Sequence, residues 1–316
     1  MAGMHTEALH ECSSGLDMLP ASSVLGLLAE GQIEAAKAVR NAIPEIARAA
    51  SMLAECLSAG GRIAYAAAGS SALMALADAL ELPGTFGISR DRIVLLTAGG
   101  DGALDSLAGG PEDDAVEAAR RVAAAGLGAG DCLVAVSASG TTPYASGALE
   151  EAARRGAKTV GIANNRETPL LMKADAAVLL ATPPELIAGS TRMGAGTAQK
   201  IALNMLSTLT AIHLGHVHDG YMVDVRADNL KLRARAARIV SAIGGCREAK
   251  ALSLLDRTGG AVKPAVLLAA GAATLESALE LLDGTGHNLR SALSRLQGAE
   301  APAKTEPDNR STGRMT

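Results

Sequence analysis

Three segments of the chain combine hydroxyl side chains with glycine where a helix would begin. The sequence GSTRMGAGTAQK, residues 189–200, places Ser190, Thr191 and Arg192 before a long apolar helical pattern. Its glycines leave the backbone bare, so that N–H groups carrying partial positive charge can approach a ligand closely. Arg192 adds a planar donor suited to phosphate or carboxylate. This segment is equally compatible with an anion site and with a tightly packed, well-capped helix.

Two further segments repeat this arrangement. AAAGSSA places Ser70 and Ser71 directly after an apolar run. SASGTTPY surrounds one glycine with hydroxyls and comprises Ser137, Ser139, Gly140, Thr141 and Thr142. Each cluster alone is more often a helix cap than a ligand site. If all three clusters lie at one edge of a sheet, they predict a pocket for an anionic small ligand.

The hydrophobic pattern contains the elements that would bring these segments together. Five short runs are apolar on both faces, as in strands of a covered parallel sheet; they span residues 62–69, 92–100, 132–140, 159–165 and 176–182. Helical patterns lie between the first four runs. The alternation predicts an α/β fold with a doubly wound, five-stranded parallel sheet flanked by helices. Ligands of such folds bind at the carboxyl ends of the strands.

Composition divides the chain into four parts. We expect an N-terminal arm with helices over residues 1–58 and the doubly wound domain over residues 59–225. Beyond it, short helical patterns punctuated by glycine predict a small helical domain over residues 226–296. The polar stretch over residues 297–316 contains no large apolar side chain except Met315 and is expected to be disordered.

The totals exclude several classes of protein. The 316 residues carry a net charge of −4 and contain one Phe, three Tyr and no Trp, which argues against nucleic-acid binding. Four widely spaced cysteines form no metal-ligand pattern and fit a reducing compartment. We find no signal peptide, membrane span or nucleotide fingerprint. The sequence therefore predicts a cytoplasmic protein that contacts neither membrane nor nucleic acid and needs no metal or nucleotide cofactor.

Several motifs carry a resemblance to a known family. SASGTTPY resembles the hydroxyl-rich phosphate loop of SIS domains, the sugar isomerase fold. The segments DALELPGTFG, LTAGG, GGPEDD, ELIAGSTRMGAGTAQKIALNMLSTL and MVDVRADNLKL together resemble N-acetylmuramic acid 6-phosphate etherases, in order from about residue 6 to 240. The resemblance implies an SIS-type fold, a homodimer and a small phosphosugar ligand.

The reaction that the resemblance implies is the removal of a D-lactyl ether from a phosphorylated amino sugar. The family opens the sugar to its aldehyde, removes the C2 proton, expels D-lactate from C3 and adds water. Glu81 matches the family's proton donor to lactate, and Glu112 matches its second catalytic glutamate, the C2 base. From the residues alone, Glu81 could be a solvated carboxylate at a turn, and Glu112 could simply favour a helix start.

The candidate binding residues are Ser70, Ser71, Ser137, Ser139, Gly140, Thr141, Thr142, Glu185, Ser190, Thr191 and Arg192. Three positions that are cationic in the family are neutral here, namely Leu73, Thr141 and Gly194. Each missing charge-assisted contact is worth about 1.5 to 3 kcal/mol, so we expect weaker binding of a doubly charged substrate unless other residues compensate.

These departures leave two alternatives to the etherase. The chain could bind a phosphosugar as a regulator, as the related glucokinase regulatory protein does. It could instead interconvert an aldose phosphate and a ketose phosphate, which needs only one base near C2. Glu81, Glu112 and Arg192 favour the lyase.

Overall fold

The computed structural model describes residues 5–100, 109–225 and 230–298. The chain forms two compact units, Met1–Leu214 and Gly215–Thr316. The predicted disordered tail, apart from its first two residues, lies outside the described residues.

The first unit contains the predicted parallel sheet. Its strands are β1 (Ile63–Ala67), β2 (Ile93–Thr97), β3 (Cys132–Ser137), β4 (Lys158–Ala163) and β5 (Ala176–Leu179). Their spatial order is β2-β1-β3-β4-β5, and every neighbouring pair is parallel. All five predicted runs are strands, and β1 and β3 are buried along their whole lengths. The fold class predicted from the hydrophobic pattern is therefore confirmed.

Helices cover this sheet and supply the walls of the strand ends. They are α1 (Ala21–Ala38), α2 (Ile43–Ser58), α3 (Gly69–Phe86), α4 (Ala115–Ala124), α5 (Pro143–Arg154), α6 (Pro169–Lys173) and α7 (Gly194–His213). The long helix α7 packs against α1, α2 and α3. No described helix is both long and apolar enough to cross a bilayer.

The second unit opens with a hairpin of two very short strands, β6 (Val217–His218) and β7 (Tyr221–Met222), which the sequence analysis missed. Within residues 230–298 five helices follow: α8 (Leu230–Gly244), α9 (Glu248–Arg257), α10 (Val262–Ala269), α11 (Leu275–Asp283) and α12 (Leu289–Leu296). Val223 and Val225 are buried in the core that these helices form. Their burial explains why the division between units falls after Leu214, whereas the sequence-based boundary lies after residue 225.

Helices α4 and α5 approach each other closely because a glycine lies at their contact. A Cβ built on Gly147 of α5 would lie 2.6 Å from the carbonyl oxygen of Ala115 on α4, too close for two non-bonded atoms. On α1, by contrast, a Cβ built on Gly26 meets no atom within 4 Å. The first glycine is needed for packing, and the second is not.

These two glycines give a matched test of the packing. Gly147→Ala forces α4 and α5 apart, and we expect it to lower the free energy of unfolding by about 1 to 3 kcal/mol. Gly26→Ala removes backbone entropy from the unfolded chain and is expected to raise it by about 0.5 to 1 kcal/mol. Denaturant unfolding followed by circular dichroism measures both. Equal effects of the two substitutions would contradict the packing described.

Candidate active site

The register of the sheet places the three loops after β1, β3 and β4 at one edge. Ala67, the last residue of β1, pairs with Val136 of β3, and Ser137 pairs with Ala163, the last residue of β4. Because the three strands are parallel and end at the same level, the segments that follow them leave the sheet side by side.

The hydroxyl loop, residues 137–142, is a compact cluster at the start of α5. Ser137 Oγ lies 2.7 Å from Thr142 Oγ1 and 3.2 Å from Ser139 Oγ, and Thr141 Oγ1 donates to Ser139 Oγ at 3.1 Å. The backbone N–H of Gly140 donates to Ser137 Oγ at 3.0 Å. Four predicted binding hydroxyls therefore lie together at a helix N-terminus, an environment that favours an anion.

The neighbouring β4 loop holds the hydroxyl loop in this shape. Gly140 has a φ of +71°, and a Cβ there would lie 2.4 Å from Thr168 Oγ1. Leu170 N–H donates to the Gly140 carbonyl at 3.2 Å, and the Asn165 side-chain amide donates to the Ser139 carbonyl at 3.2 Å. Only glycine combines the positive φ with this close approach.

The first turn of α3 lies beside this loop. Ala68 precedes the helix and offers no side-chain cap to its N–H groups, while Gly69 adopts a φ of +53°. Ser70 is half-buried and Ser71 is buried in the same turn. The uncapped turn leaves backbone donors and two serines next to the hydroxyl loop.

Glu112 lies directly against this turn. It belongs to a short 3₁₀ turn, Gly110–Asp113, and its Oε1 lies 2.7 Å from the position that a Cβ on Gly69 would occupy. Burial raises the pKa of the Glu112 carboxyl above its ordinary value, and the charge of Asp113 raises it further. A half-buried carboxyl with a raised pKa is suited to accept a proton near neutral pH.

Glu81 lies far from Glu112 within one chain. It is exposed and stands twelve residues after Gly69 on α3, which corresponds to about 18 Å along the helix axis. A glutamate side chain does not bridge that distance. The two predicted catalytic glutamates are therefore not brought together by a single copy of the chain.

A buried aspartate that the sequence analysis missed fixes α3 in place. Asp78 accepts hydrogen bonds from Tyr65 Oη at 3.0 Å and from Asn204 Nδ2 and Ser207 Oγ, each at 2.8 Å. Burial raises its pKa, and the three hydrogen bonds oppose that shift. An aspartate on the buried face of an otherwise apolar helix was the available signal. Through it, β1, α3 and α7 share one polar contact.

Glu185 occupies the start of α7, where the sequence predicted a site for the ligand's anion. Its two carboxylate oxygens accept the N–H groups of Gly194 and Ala195 at 2.9 and 2.8 Å, and its side chain is buried. A Cβ on Gly194 would lie 3.1 Å from Glu185 Oε2 and 3.2 Å from the Cβ of Ala35. Glu185 thus caps α7 with a charge from within the chain, and Gly194 leaves room for it. A role of Glu185 in ligand binding stays a prediction.

The N-terminal arm links the segment before α7 to the hydroxyl loop. The side chains of Thr6 and Asn165 bond at 2.9 Å, and Thr6 N–H donates back to Asn165 Oδ1 at 3.2 Å. The same Asn165 amide contacts Ser139, while the Thr6 carbonyl accepts Gly189 N–H at 3.1 Å. Two consecutive asparagines after a strand, Asn164 and Asn165, are the sequence signal for this connection.

This link places the remaining predicted residues at the same edge of the sheet. Ser190 and Thr191 are half-buried in the turn that follows Gly189, and Arg192 is exposed beside them. Arg192 is therefore available to an anionic ligand, although its own turn belongs to the cap of α7. Among the described residues, no cluster of side chains could hold a metal ion.

The role of Glu185 can be tested separately from catalysis. Glu185→Ala removes two charge-assisted hydrogen bonds from a buried helix start, so we expect a loss of about 3 kcal/mol in unfolding free energy. Glu34→Ala, at an exposed position on α1, is the control and should change it by less than about 0.5 kcal/mol. Unchanged stability of Glu185→Ala, measured by denaturant unfolding, would show that this carboxylate is not the cap.

Comparisons with known proteins agree with this geometry. A family model described as SIS domain matches residues 32–164. The N-acetylmuramic acid 6-phosphate etherase of Deinococcus radiodurans is 44% identical over 83% of this chain and 86% of its own length. The protein of that name from Streptomyces avermitilis is 42% identical over 92% of this chain and 93% of its own length. The one from Serratia proteamaculans is 37% identical over 93% of this chain and 99% of its own length. At this identity over nearly the whole chain, the protein belongs to the N-acetylmuramic acid 6-phosphate etherase family.

Proposed function

We propose that this protein is a carbon–oxygen lyase that cleaves the D-lactyl ether of N-acetylmuramic acid 6-phosphate. The observation that carries the proposal is the position of Glu112, a carboxyl with a raised pKa set against the first turn of α3 and beside the hydroxyl loop. Membership of the etherase family supports the same reaction. The products are D-lactate and N-acetylglucosamine 6-phosphate.

The hydroxyl loop binds the phosphate in this proposal. Ser139, Thr141 and Thr142 present hydroxyl donors, and the N-terminus of the twelve-residue helix α5 adds partial positive charge. The loop itself, residues 137–142, contains no lysine or arginine. Thr141 stands at the position that is arginine in the family. Arg192 supplies a cation at the same edge and is assigned to the lactyl carboxylate.

Glu112 acts as the base at C2. In the open-chain sugar the C1 aldehyde acidifies the C2 proton, which Glu112 accepts. The electron pair of that bond forms the C2–C3 double bond as the C3–oxygen bond to lactate breaks, and an acid protonates the departing oxygen. Water then adds across the double bond: its oxygen bonds to C3 as it gives a proton to the carboxylate that protonated lactate, and Glu112 returns its proton to C2. N–H groups at the uncapped start of α3 stabilise the negative charge that develops on the aldehyde oxygen.

Glu81 is the acid that protonates lactate in this proposal, and the protein works as a homodimer. Both assignments follow from the family resemblance. The regulator and the isomerase are less favoured, because the relatives named above are etherases.

Release of D-lactate tests the function directly. Incubation with N-acetylmuramic acid 6-phosphate is expected to yield D-lactate and N-acetylglucosamine 6-phosphate, measured by a lactate-coupled assay and NMR. Glu112→Gln should lower kcat by about 10²- to 10⁴-fold, because the amide cannot accept the C2 proton. Glu117→Gln, at a half-buried position on α4 where the glutamate pairs with Arg120, is the matched control and should retain activity.

The alternatives give different results in the same assay. Binding of the phosphosugar without lactate release or C2 exchange in deuterated water would identify a regulator. Exchange with formation of a ketose phosphate and no lactate would identify an isomerase. Either outcome contradicts the lyase assignment.

The pH dependence of kcat/KM tests the electrostatics of Glu112. A base must be ionised to act, so the rate rises with pH through the Glu112 pKa, which burial and Asp113 hold above its ordinary value. Asp113→Asn removes the neighbouring charge and should move this acid limb to lower pH, leaving the plateau unchanged. Asp17→Asn, in the exposed part of the arm, should leave the limb in place. A limb that does not move with Asp113→Asn would contradict the assignment of Glu112 as the titrating base.

A further inference from the structure

We propose that a cavity beside α4 is a binding site for a small monocarboxylate, which Arg121 holds. The cavity has a volume of about 610 Å³, a size typical of small-molecule sites. Its described walls are the loop after β2, the turn that carries Glu112, and α4 with its N-cap. None of the residues assigned to phosphate binding or catalysis lines it among those described, so the site does not depend on the proposed function.

The guanidinium of Arg121 is the group in this cavity that points to an anion. The side chain is half-buried, and its Nη1 donates to the Thr97 carbonyl oxygen at 2.6 Å and to Tyr144 Oη at 3.4 Å. Its Nε and Nη2 groups have no hydrogen-bond partner among the described residues. These two groups form the edge of a guanidinium that binds a carboxylate through two parallel hydrogen bonds. One end of Arg121 is therefore held in place, and the opposite donor edge is open.

A glycine keeps the guanidinium accessible. Gly100, in the loop after β2, has a φ of +63°, and a Cβ built on it would lie 3.4 Å from Nη1 and 3.6 Å from Nη2 of Arg121. The guanidinium thus lies against bare backbone. A larger side chain at this position would crowd the donors of Arg121 and occupy part of the cavity.

The other charged side chains of the cavity are engaged with one another. Asp114 is the N-cap of α4, and its Oδ1 accepts the Glu117 N–H at 2.8 Å. The two carboxylate oxygens of Glu117 accept hydrogen bonds from Nε and Nη2 of Arg120 at 2.7 and 2.8 Å. In the part of the chain that the structure describes, no ion pair includes Arg121. Arg121 is therefore the cation that remains for a ligand.

The balance of charge favours a monocarboxylate over a phosphate. Asp114 and Glu117 offset the two arginines, so an incoming anion meets one available cation and two fixed negative charges. A planar carboxylate with a single charge matches the open edge of Arg121. A doubly charged phosphate brings a second negative charge that no described group of the cavity neutralises, and the nearby carboxylates repel it.

Titration with propionate tests the site on the full chain. The probe is sodium propionate, added at constant ionic strength against sodium chloride so that screening does not change. We expect saturable binding with a Kd on the order of 1 mM, seen as a shift of the Arg121 Nε–H signal by NMR. Inorganic phosphate should leave that signal in place. A signal that does not respond to propionate, or that responds equally to phosphate, would overturn the proposal.

Variants of neighbouring arginines on α4 show which cation binds. Arg121→Gln should abolish saturable propionate binding, measured by calorimetry, whereas Arg120→Gln, at an exposed position, should retain it. Arg121→Lys keeps the charge and a donor for the Thr97 carbonyl, and we expect it to bind at least 10-fold more weakly, because an ammonium offers no two parallel donors. Circular dichroism checks that each variant is folded. Wild-type affinity of folded Arg121→Lys or Arg121→Gln would contradict the role of the guanidinium.

A third arginine distinguishes this cavity from the candidate active site. Arg192→Gln should bind propionate with unchanged affinity, because Arg192 lies outside the described lining of the cavity. Loss of binding in Arg192→Gln together with normal binding in Arg121→Gln would place the carboxylate in the active site and overturn the inference. Absence of D-lactate release from the wild-type protein would overturn the proposed function and leave this binding unchanged, so the two failures are distinct.

Discussion

β1 and β3 run side by side in parallel, with Ile63 opposite Cys132 and Ala67 opposite Val136. Everything proposed for the site depends on this pairing. It ends both strands at one level, so that the uncapped start of α3 and the hydroxyl loop at the start of α5 lie next to each other. Both strands are fully buried and apolar, and a shift of register would therefore be opposed by the whole core as well as by the ladder of hydrogen bonds.

At this edge of the sheet, the first N–H groups of α7 and of α5 differ in the side chains that surround them. The start of α7 is already occupied, because Glu185 accepts two of its N–H groups from inside the protein. The start of α5 carries neutral hydroxyls that bond to one another, and these can turn toward a ligand. An incoming phosphate therefore meets repulsion from a buried carboxylate at α7 and finds hydroxyl donors at α5. Because the residues at positions 73, 141 and 194 are neutral, the preference of a phosphate for the start of α5 over that of α7 rests on hydroxyls and backbone dipoles rather than on several cationic side chains.

Much of the fold follows from local pattern. Runs that are apolar on both faces identified all five strands, since only a covered parallel sheet buries both sides. The hairpin over residues 217–222 was missed because strands of two residues are too short to show a hydrophobic periodicity. The cap of α7 was missed because Glu185 and Gly194 are separated by a turn whose path no local rule fixes. The position of Glu81 along α3 was within reach of the sequence, because the helical pattern after residue 69 already places it three turns from the helix start. The other end of the distance, the contact of Glu112 with Gly69, is tertiary and was not. Family resemblance assigned both glutamates to one site but could not say from how many chains.

The most direct test of the central claim is a crystal structure of the protein with N-acetylglucosamine 6-phosphate, the product of the proposed reaction. The account predicts phosphate oxygens at about 2.7 to 3.2 Å from the hydroxyls of Ser139 and Thr142, with C2 of the sugar next to the Glu112 carboxylate. A phosphate bound at the start of α7, with Glu185 displaced, would contradict it.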